Sequence, residues 1–131
     1  MKRSAFVLVL LAAPILCAQK KNPPLKEAEI EVIDPAVRHE AGRITVDGRL
    51  KNVGEKPARK LAVFYEVLDS DRNVLTRQKG EIAEEELEPD QETEIHAQMH
   101  FHARAVHLRL SFEDGAGREL RGVNAGPFTI E

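Results

Sequence analysis

Apolar and polar residues alternate along the stretch from Thr93 to His102. A period of two positions is that of a β-strand with one buried face, because successive side chains of a strand point to opposite faces. Val106 to Phe112 continues the alternation. The chain is therefore predicted to contain two successive half-buried strands. The polar face of the first would carry Glu94, His96, Gln98, His100 and His102.

The segment from Lys60 to Asp69 has apolar side chains on both of its faces. Strands that are covered on two sides lie inside a sheet, so this segment is predicted to be the central strand. The residues from Asp69 to Asn73 begin like a calcium loop, but Val74 stands where such a loop needs glycine. Asp and Asn are also typical of hairpin turns, and we interpret this segment as such a turn.

The first strand is predicted at Ala28 to Val32, with Ile30 pointing inward. We expect an edge strand that ends at the Asp34-Pro35 pair, because proline cannot donate to the sheet ladder. A helix over Lys26 to Ile33 is the alternative, since Lys, Glu and Ala favour helices. The strict alternation favours the strand.

The segment from Arg43 to Asn52 contains Asp47-Gly48, which is a strong signal for a two-residue hairpin turn. A turn there would pair Val46 with Arg49 and mix charge into the apolar face. The segment is therefore predicted to be one continuous strand, in which Gly48 marks close packing or a bulge.

Further strands are predicted at Val74 to Gln78 and between Glu119 and Ile130, with turn residues about every ten positions along the chain. Short strands at this spacing are typical of an all-β sandwich made of two sheets. The prediction is an antiparallel β-sandwich of about seven strands.

The first four residues place two positive charges before an apolar run that closes at Leu16, Cys17 and Ala18. This is the pattern of a secretory signal peptide, and the run is too short for a membrane-spanning helix, which needs roughly 20 residues. Cleavage is predicted after Ala18. Lipidation of Cys17 is the alternative, although the bulky Leu16 disfavours it. The predicted organisation is a leader at 1–18, a linker at 19–26 and a single β-sandwich domain at 27–131.

Cleavage after Ala18 removes 18 of the 131 residues and with them the single cysteine, which leaves 113 residues. Disulfides, a thiol nucleophile and Cys-based metal sites are then excluded. Because Lys2 and Arg3 are also removed, 17 basic residues face 22 acidic ones and the net charge is −5. An acidic chain without a basic stripe argues against nucleic acid and against a membrane as the partner. The predicted location is the periplasm or the extracellular space.

The residues from Tyr65 to Asp69 resemble the aromatic-x-aliphatic-large-Asp signature of FxLYD-type domains. Gly48 to Gly54 is similar to the Gly-x-aliphatic-x-Asn-x-Gly strand that precedes this signature, and Leu87-Glu88-Pro89 is similar to a later turn. The signature's phenylalanine is Tyr65 here, and its tyrosine is Leu68. The resemblance covers positions 43 to 112 and implies an immunoglobulin-like or fibronectin type III-like sandwich of exported bacterial proteins. It implies a binding or structural module, with no catalytic activity to transfer.

Histidines gather on the polar face of the alternating stretch, where His100 and His102 would have Cα atoms about 6.5–7 Å apart, from the strand rise. If Ala103-Arg104 formed a two-residue turn between adjacent strands, His107 would face His100. The resulting cluster would suit Zn²⁺ or Cu²⁺. In an immunoglobulin-like topology the two strands belong to opposite sheets, and the alternative is an exposed face rich in histidine. The candidate metal ligands are His96, His100, His102 and His107.

The sequence offers little for catalysis. Ser70 and Ser111 are the serines that follow the leader, and neither lies in a Gly-x-Ser-x-Gly elbow. Glu84, Glu85 and Glu86 are consecutive, as is typical of solvated surface charges. The predicted function is therefore an exported, non-catalytic interaction or structural module that needs no cofactor, whose partner is an unknown envelope or extracellular protein. The alternative is a periplasmic metal-binding protein that uses the histidines.

Overall fold

The computed structural model describes residues 24–131, and every regular element in this range is a β-strand. The prediction of an all-β fold is confirmed. No helix of this range is long and apolar enough to cross a membrane. The predicted leader and most of the predicted linker lie outside the described residues. The strands are β1 (Glu29–Glu40), β2 (Arg43–Asn52), β3 (Ala58–Arg59), β4 (Ala62–Leu68), β5 (Val74–Glu81), β6 (Glu86–Leu87), β7 (Glu92–His100), β8 (His107–Glu113), β9 (Glu119–Val123) and β10 (Phe128–Thr129).

The strands form a two-layer sandwich. One layer contains β5, β4, β8 and β9 in that order, with β10 paired to β8, and the other contains β1, β2 and β7. The layers are joined where β9 pairs with the start of β1, in a parallel arrangement of Glu29–Glu31 with Arg121–Val123. β3 and β6 pair with each other outside this sheet. A single cluster of buried side chains from both layers forms the core.

β4 is the central strand of its layer, as predicted. It pairs with β5 on one side and with β8 on the other. Val63, Tyr65 and Val67 belong to the core between the layers. On the outer face, the guanidinium of Arg77 lies 3.8 Å from the ring centroid of Phe64 and covers it. Both faces of the strand are therefore covered, one by the core and one by a neighbouring side chain.

β1 differs from its prediction in length and in position. It continues past Asp34-Pro35 to Glu40, because a register shift between Ile33 and Ala36 accommodates the proline. The prediction that the strand ends at this pair is wrong. β1 also lies between β9 and β2, so the prediction of an edge strand is wrong as well. Its inward residue Ile30 is fully buried, as predicted.

β2 is one continuous strand, as predicted, and its partner β7 follows it without a register shift. Ile44, Val46 and Leu50 are buried in the core. A Cβ added at Gly48 would lie 3.3 Å from the carbonyl oxygen of Ile33, which is at the bulge of β1. Glycine at this position therefore lets the two strands approach closely, and the prediction of close packing is confirmed.

The turn after β2 is held by Asn52, whose side chain is fully buried. The side-chain amide donates hydrogen bonds to the carbonyl oxygens of Lys56 and Leu87, at 2.8 and 2.9 Å. Its oxygen accepts a hydrogen bond from the N–H of Gly54 at 2.9 Å. One asparagine thus satisfies three backbone groups that would otherwise be buried without partners.

The turn after β4 is held by the carboxylate of Asp69. Its Oδ1 accepts hydrogen bonds from the backbone N–H groups of Asp71 and Asn73, both at 2.9 Å. These bonds, with that from Asn73 the strongest, hold the pKa of the Asp69 carboxyl below its usual value. The carboxylate therefore serves the hairpin turn that the sequence predicts here.

Candidate functional site

The four histidines of the predicted metal site lie in two layers of the sandwich. His96 and His100 are on the exposed face of β7, and His102 follows the end of that strand. His107 begins β8, in the other layer. β7 pairs with β2 and β8 pairs with β4, so the two-residue turn that would place His100 opposite His107 does not form. That alternative is wrong, because the chain crosses between layers at this point.

Two of the histidine rings already have polar contacts. Nδ1 of His96 lies 2.6 Å from Oδ1 of Asp47 on β2. Nδ1 of His102 accepts a hydrogen bond from the backbone N–H of Arg104 at 3.1 Å. Within residues 24–131, no three His, Cys, Asp or Glu side chains are grouped so that they could hold a metal ion. The geometry therefore gives the predicted metal site no support.

We expect titration calorimetry with Zn²⁺ and Cu²⁺ at neutral pH to detect no uptake tighter than the millimolar range. The physical reason is that a tight site needs three or four converging ligands, which these strands do not supply. His100→Ala is the matched variant. Micromolar uptake by the native protein that disappears in His100→Ala would contradict the expectation.

The backbone of β7 has one unpaired edge, because β7 is the last strand in the sheet order. The N–H of Phe101 donates to the carbonyl oxygen of Gly42 at 3.0 Å, and the N–H of Asn52 donates to that of Gln91 at 3.1 Å. Gln91 and Phe101 are odd-numbered positions just before and just after β7, and both bonds join them to the chain of β2. Backbone groups along an antiparallel strand point alternately toward its two sides. The even-numbered positions of β7 therefore point their N–H and C=O groups to the free edge.

The free edge of β7 consists of the backbone groups of Glu92, Glu94, His96, Gln98 and His100. The side-chain amide of Gln78 donates one hydrogen bond to this edge, to the carbonyl oxygen of Gln98 at 3.3 Å. Near the start of the strand, the hydroxyl of Thr93 donates to the carboxylate of Glu84 at 2.6 Å, which brings the loop after β5 close. Between Glu94 and His100, no strand of the described chain forms backbone pairs with this edge.

β5 forms the opposite end of the sheet order and carries features that discourage strand addition. It contains Arg77 and Lys79, and its register against β4 shifts between Val67 and Leu68. Lysines, prolines and bulges are the usual means by which proteins block an exposed edge. β7 has no lysine, no proline and no register shift against β2. Of the two edges, β7 is the one open to a further strand.

A groove of about 460 Å³ lies beside β7, between this strand and β5. Tyr65, Ile82, Ile95 and Ala97 contribute its apolar walls, and the ring of Tyr65 packs closely against Gly80, where an added Cβ would lie 3.1 Å from the ring. Burial raises the pKa of the Tyr65 phenol to about 12, because water reaches little of this side chain. A groove of this kind next to a free edge can receive alternate side chains of an added strand.

Glu66 is a charged residue within the otherwise apolar β4, and it is a functional or structural residue that the sequence did not predict. Its Oε1 accepts a hydrogen bond from Nε of Arg109 on β8 at 2.9 Å, and its Oε2 lies 3.3 Å from Nε of Arg77 on β5. The three side chains form a charge ladder across adjacent strands. The signal in the sequence was a single carboxylate in an apolar strand, because a largely buried carboxylate is expected to be paired or hydrogen-bonded.

A second groove, of about 770 Å³, lies where the segment from Pro57 to Lys60 faces the turn between β8 and β9. Its lining contains charges of both signs but no histidine, serine or cysteine. Arg59 bonds to Glu86 at 2.8 Å, and Arg118 bonds to Asp114 at 3.0 Å. These charged groups pair with one another, and the groove offers no nucleophile with an adjacent base.

Comparisons with known proteins give the fold only. No family model matches the chain, and no curated protein matches it. A solved β-glucuronidase of glycoside hydrolase family 2 aligns with a TM-score of 0.50 and 8% identity, covering 70% of this chain and 12% of that one. IrmA from Escherichia coli aligns with a TM-score of 0.45 and 13% identity, over 81% of this chain and 98% of that one. The described chain thus corresponds to a small part of the first neighbour, and the likeness is one of β-sandwich architecture.

Proposed function

We propose that this protein is an exported, non-catalytic β-sandwich module of the cell envelope or extracellular space, and that it binds protein through the free edge of β7. The observation that carries the proposal is the run of outward-pointing backbone groups from Glu94 to His100, which pairs with no strand of the described chain and accepts one side-chain hydrogen bond, at Gln98. This run has no lysine, proline or bulge to block it.

The recognition mode is strand addition. An extended segment that runs beside β7 forms backbone hydrogen bonds with the even-numbered positions, and these bonds supply affinity without regard to side chains. Its alternate side chains reach the groove lined by Tyr65, Ile82 and Ile95, and these contacts supply specificity. The side chain of Gln78 must release the carbonyl oxygen of Gln98, and the single 3.3 Å hydrogen bond between them makes this exchange a small cost.

The non-catalytic part of the proposal is supported by how the charged groups are used. Glu66 lies in a ladder with Arg77 and Arg109, and Arg49 bridges Asp34 and Glu92. These ion pairs join neighbouring strands to one another. The FxLYD-type resemblance, which implies a binding or structural module, agrees with this proposal, and the secretory leader predicted at 1–18 favours the proposed location.

Gln98→Pro is the variant that tests the binding edge. Proline removes the N–H that points to the free edge and leaves the hydrogen bonds to β2 in place, so the domain should stay folded. We expect Gln98→Pro to lose the partners that the native protein captures from an envelope fraction of the native host, with circular dichroism unchanged. Mass spectrometry of the captured proteins is the measurement.

Gln98→Ala is the matched control, because it removes the same side chain but keeps the N–H. It should capture partners as the native protein does. If Gln98→Pro and Gln98→Ala captured the same partners equally well, the free edge of β7 would not be the binding surface. Failure of the native protein to capture any partner, together with wild-type envelope behaviour in a deletion strain, would overturn the proposed function itself.

A further inference from the structure

We infer that the free edge of β7 pairs with the same edge of a second copy of this chain, antiparallel about a two-fold axis at Ala97. This inference rests on the proposed function, because it needs an edge that accepts a strand. An edge that pairs with itself forms a closed dimer in which the same residues appear on both sides. The sheet layer of β1, β2 and β7 would then continue into the same layer of the second copy.

The backbone limits the registers that such a dimer can adopt. The groups that point outward belong to even-numbered positions, so an even position must face an even position of the second copy. An axis at Ala97 meets this condition. It places Glu94 opposite His100 of the second copy, and His96 opposite Gln98 of the second copy, and each of these pairs occurs twice.

Side-chain chemistry separates this register from its neighbours. An axis at His96 would bring the two His96 rings face to face and would use Glu92, whose carboxylate already bonds to Arg49 at 2.9 Å. An axis at Gln98 would align Glu94 with His102, which lies beyond the end of the strand. The axis at Ala97 places every carboxylate of the pairing opposite an imidazole, and no like charges meet.

The neighbouring strand β2 also places groups of complementary charge or hydrogen-bonding capacity opposite Glu94 and His96. Glu94 lies opposite Arg49, and His96 lies opposite Asp47, with 2.6 Å between Nδ1 and Oδ1. His100 lies opposite Arg43. Across the dimer, Glu94 is therefore flanked by Arg49 of its own chain and by His100 of the second copy, so the carboxylate has a cationic or donor group on each side.

The buried face also suits an axis at Ala97. Positions on the axis form a non-hydrogen-bonded pair, in which the side chains approach most closely, and alanine is small enough for this contact. Ile95 then lies opposite Met99 of the second copy. Both residues face the core side of the layer and are buried in the single chain, so the apolar face continues without a polar interruption.

Sedimentation equilibrium of the exported protein tests the pairing. The native protein should show a monomer–dimer equilibrium. His100→Glu should weaken the dimer about tenfold, because it sets two symmetry-related Glu–Glu pairs opposite each other. Glu94→His should weaken it in the same direction. The double variant Glu94→His with His100→Glu restores every opposite pair in this register and should recover dimerisation to within about threefold of the native protein.

Thr76→Glu on the β5 edge is the control for added charge and should leave the equilibrium unchanged. A native protein that is monomeric up to millimolar concentration would overturn the inference, as would a dimer that His100→Glu does not weaken or the double variant does not restore. If the native protein is monomeric while Gln98→Pro still abolishes capture of another protein, the proposed function stands and only the second-copy inference fails.

Discussion

Replacing Gly54 by Ala is expected to lower the free energy of unfolding by about 3 kcal/mol, the upper end of the usual cost of overpacking. A Cβ at this position would clash with the carbonyl oxygen of Glu27 and would lie 2.7 Å from Cα of Ala28. Both neighbours are backbone atoms of the two residues that precede β1, so no side-chain rotation relieves the clash. The N–H of Val53 donates to the carbonyl oxygen of Glu29 at 2.8 Å, and this bond would be displaced with them.

Urea denaturation followed by circular dichroism measures this effect. Gly117→Ala is the matched control, because Gly117 has a φ of 84° but nothing within 4 Å of an added Cβ. Its expected cost is about 1 kcal/mol, which is the strain of an alanine in the left-handed region. If Gly54→Ala were no more costly than Gly117→Ala, the close approach between the turn and β1 would be wrong.

Replacing Leu108 by Ala is expected to cost about 2–5 kcal/mol, which is the range for a leucine deleted from a packed core. Leu108 is fully buried on β8, where it pairs with Val67 on one side and Phe128 on the other. The cavity left by the smaller side chain would lie between β4 and β10. It cannot close unless the hydrogen-bonded pairing of β8 with both strands shifts. The loss is a large share of the 5–15 kcal/mol that stabilises a typical domain.

Thermal and urea denaturation of Leu108→Ala and His102→Ala give the comparison. His102 is exposed after the end of β7, so its truncation should change the free energy of unfolding by less than about 0.5 kcal/mol. A greater loss of stability in His102→Ala than in Leu108→Ala would show that the inward and outward faces of these strands are assigned wrongly.

The alternation of residue types predicted which faces of β2, β4 and β7 are buried, because burial along one strand is a local property. Position in the sheet is not local. Ile30 was correctly placed inward, but its strand was assigned to an edge, because its partner β9 is far away in sequence and no nearby residue signals the pairing. The end of β1 was predicted wrongly at Pro35 for a similar reason. A bulge in β1 opposite Gly48 of β2 accommodates the proline, and the strand continues past it.

The candidate site was predicted in part. Alternation placed His96 and His100 together on an exposed face, and the structure has them there. Whether His107 joins them depends on which strands are neighbours, and the sequence left both possibilities open. The free edge of β7 gives no signal in composition, because an edge is defined by the absence of a partner. The buried role of Asn52 was also not predicted, since an asparagine in a turn segment that contains glycine is equally typical of an exposed turn.

The pairing of β1 with late parts of the chain has a consequence for the order of events in folding. β1 contacts β9 at its start, and near its end the N–H of His39 donates to the carbonyl oxygen of Glu131 at 2.7 Å. Contacts this distant in sequence close slowly, because a large loop must lose its freedom before they form. If the proposed export holds and the N-terminus crosses the membrane first, β1 can reach its final pairing only after β9 and Glu131 have also crossed.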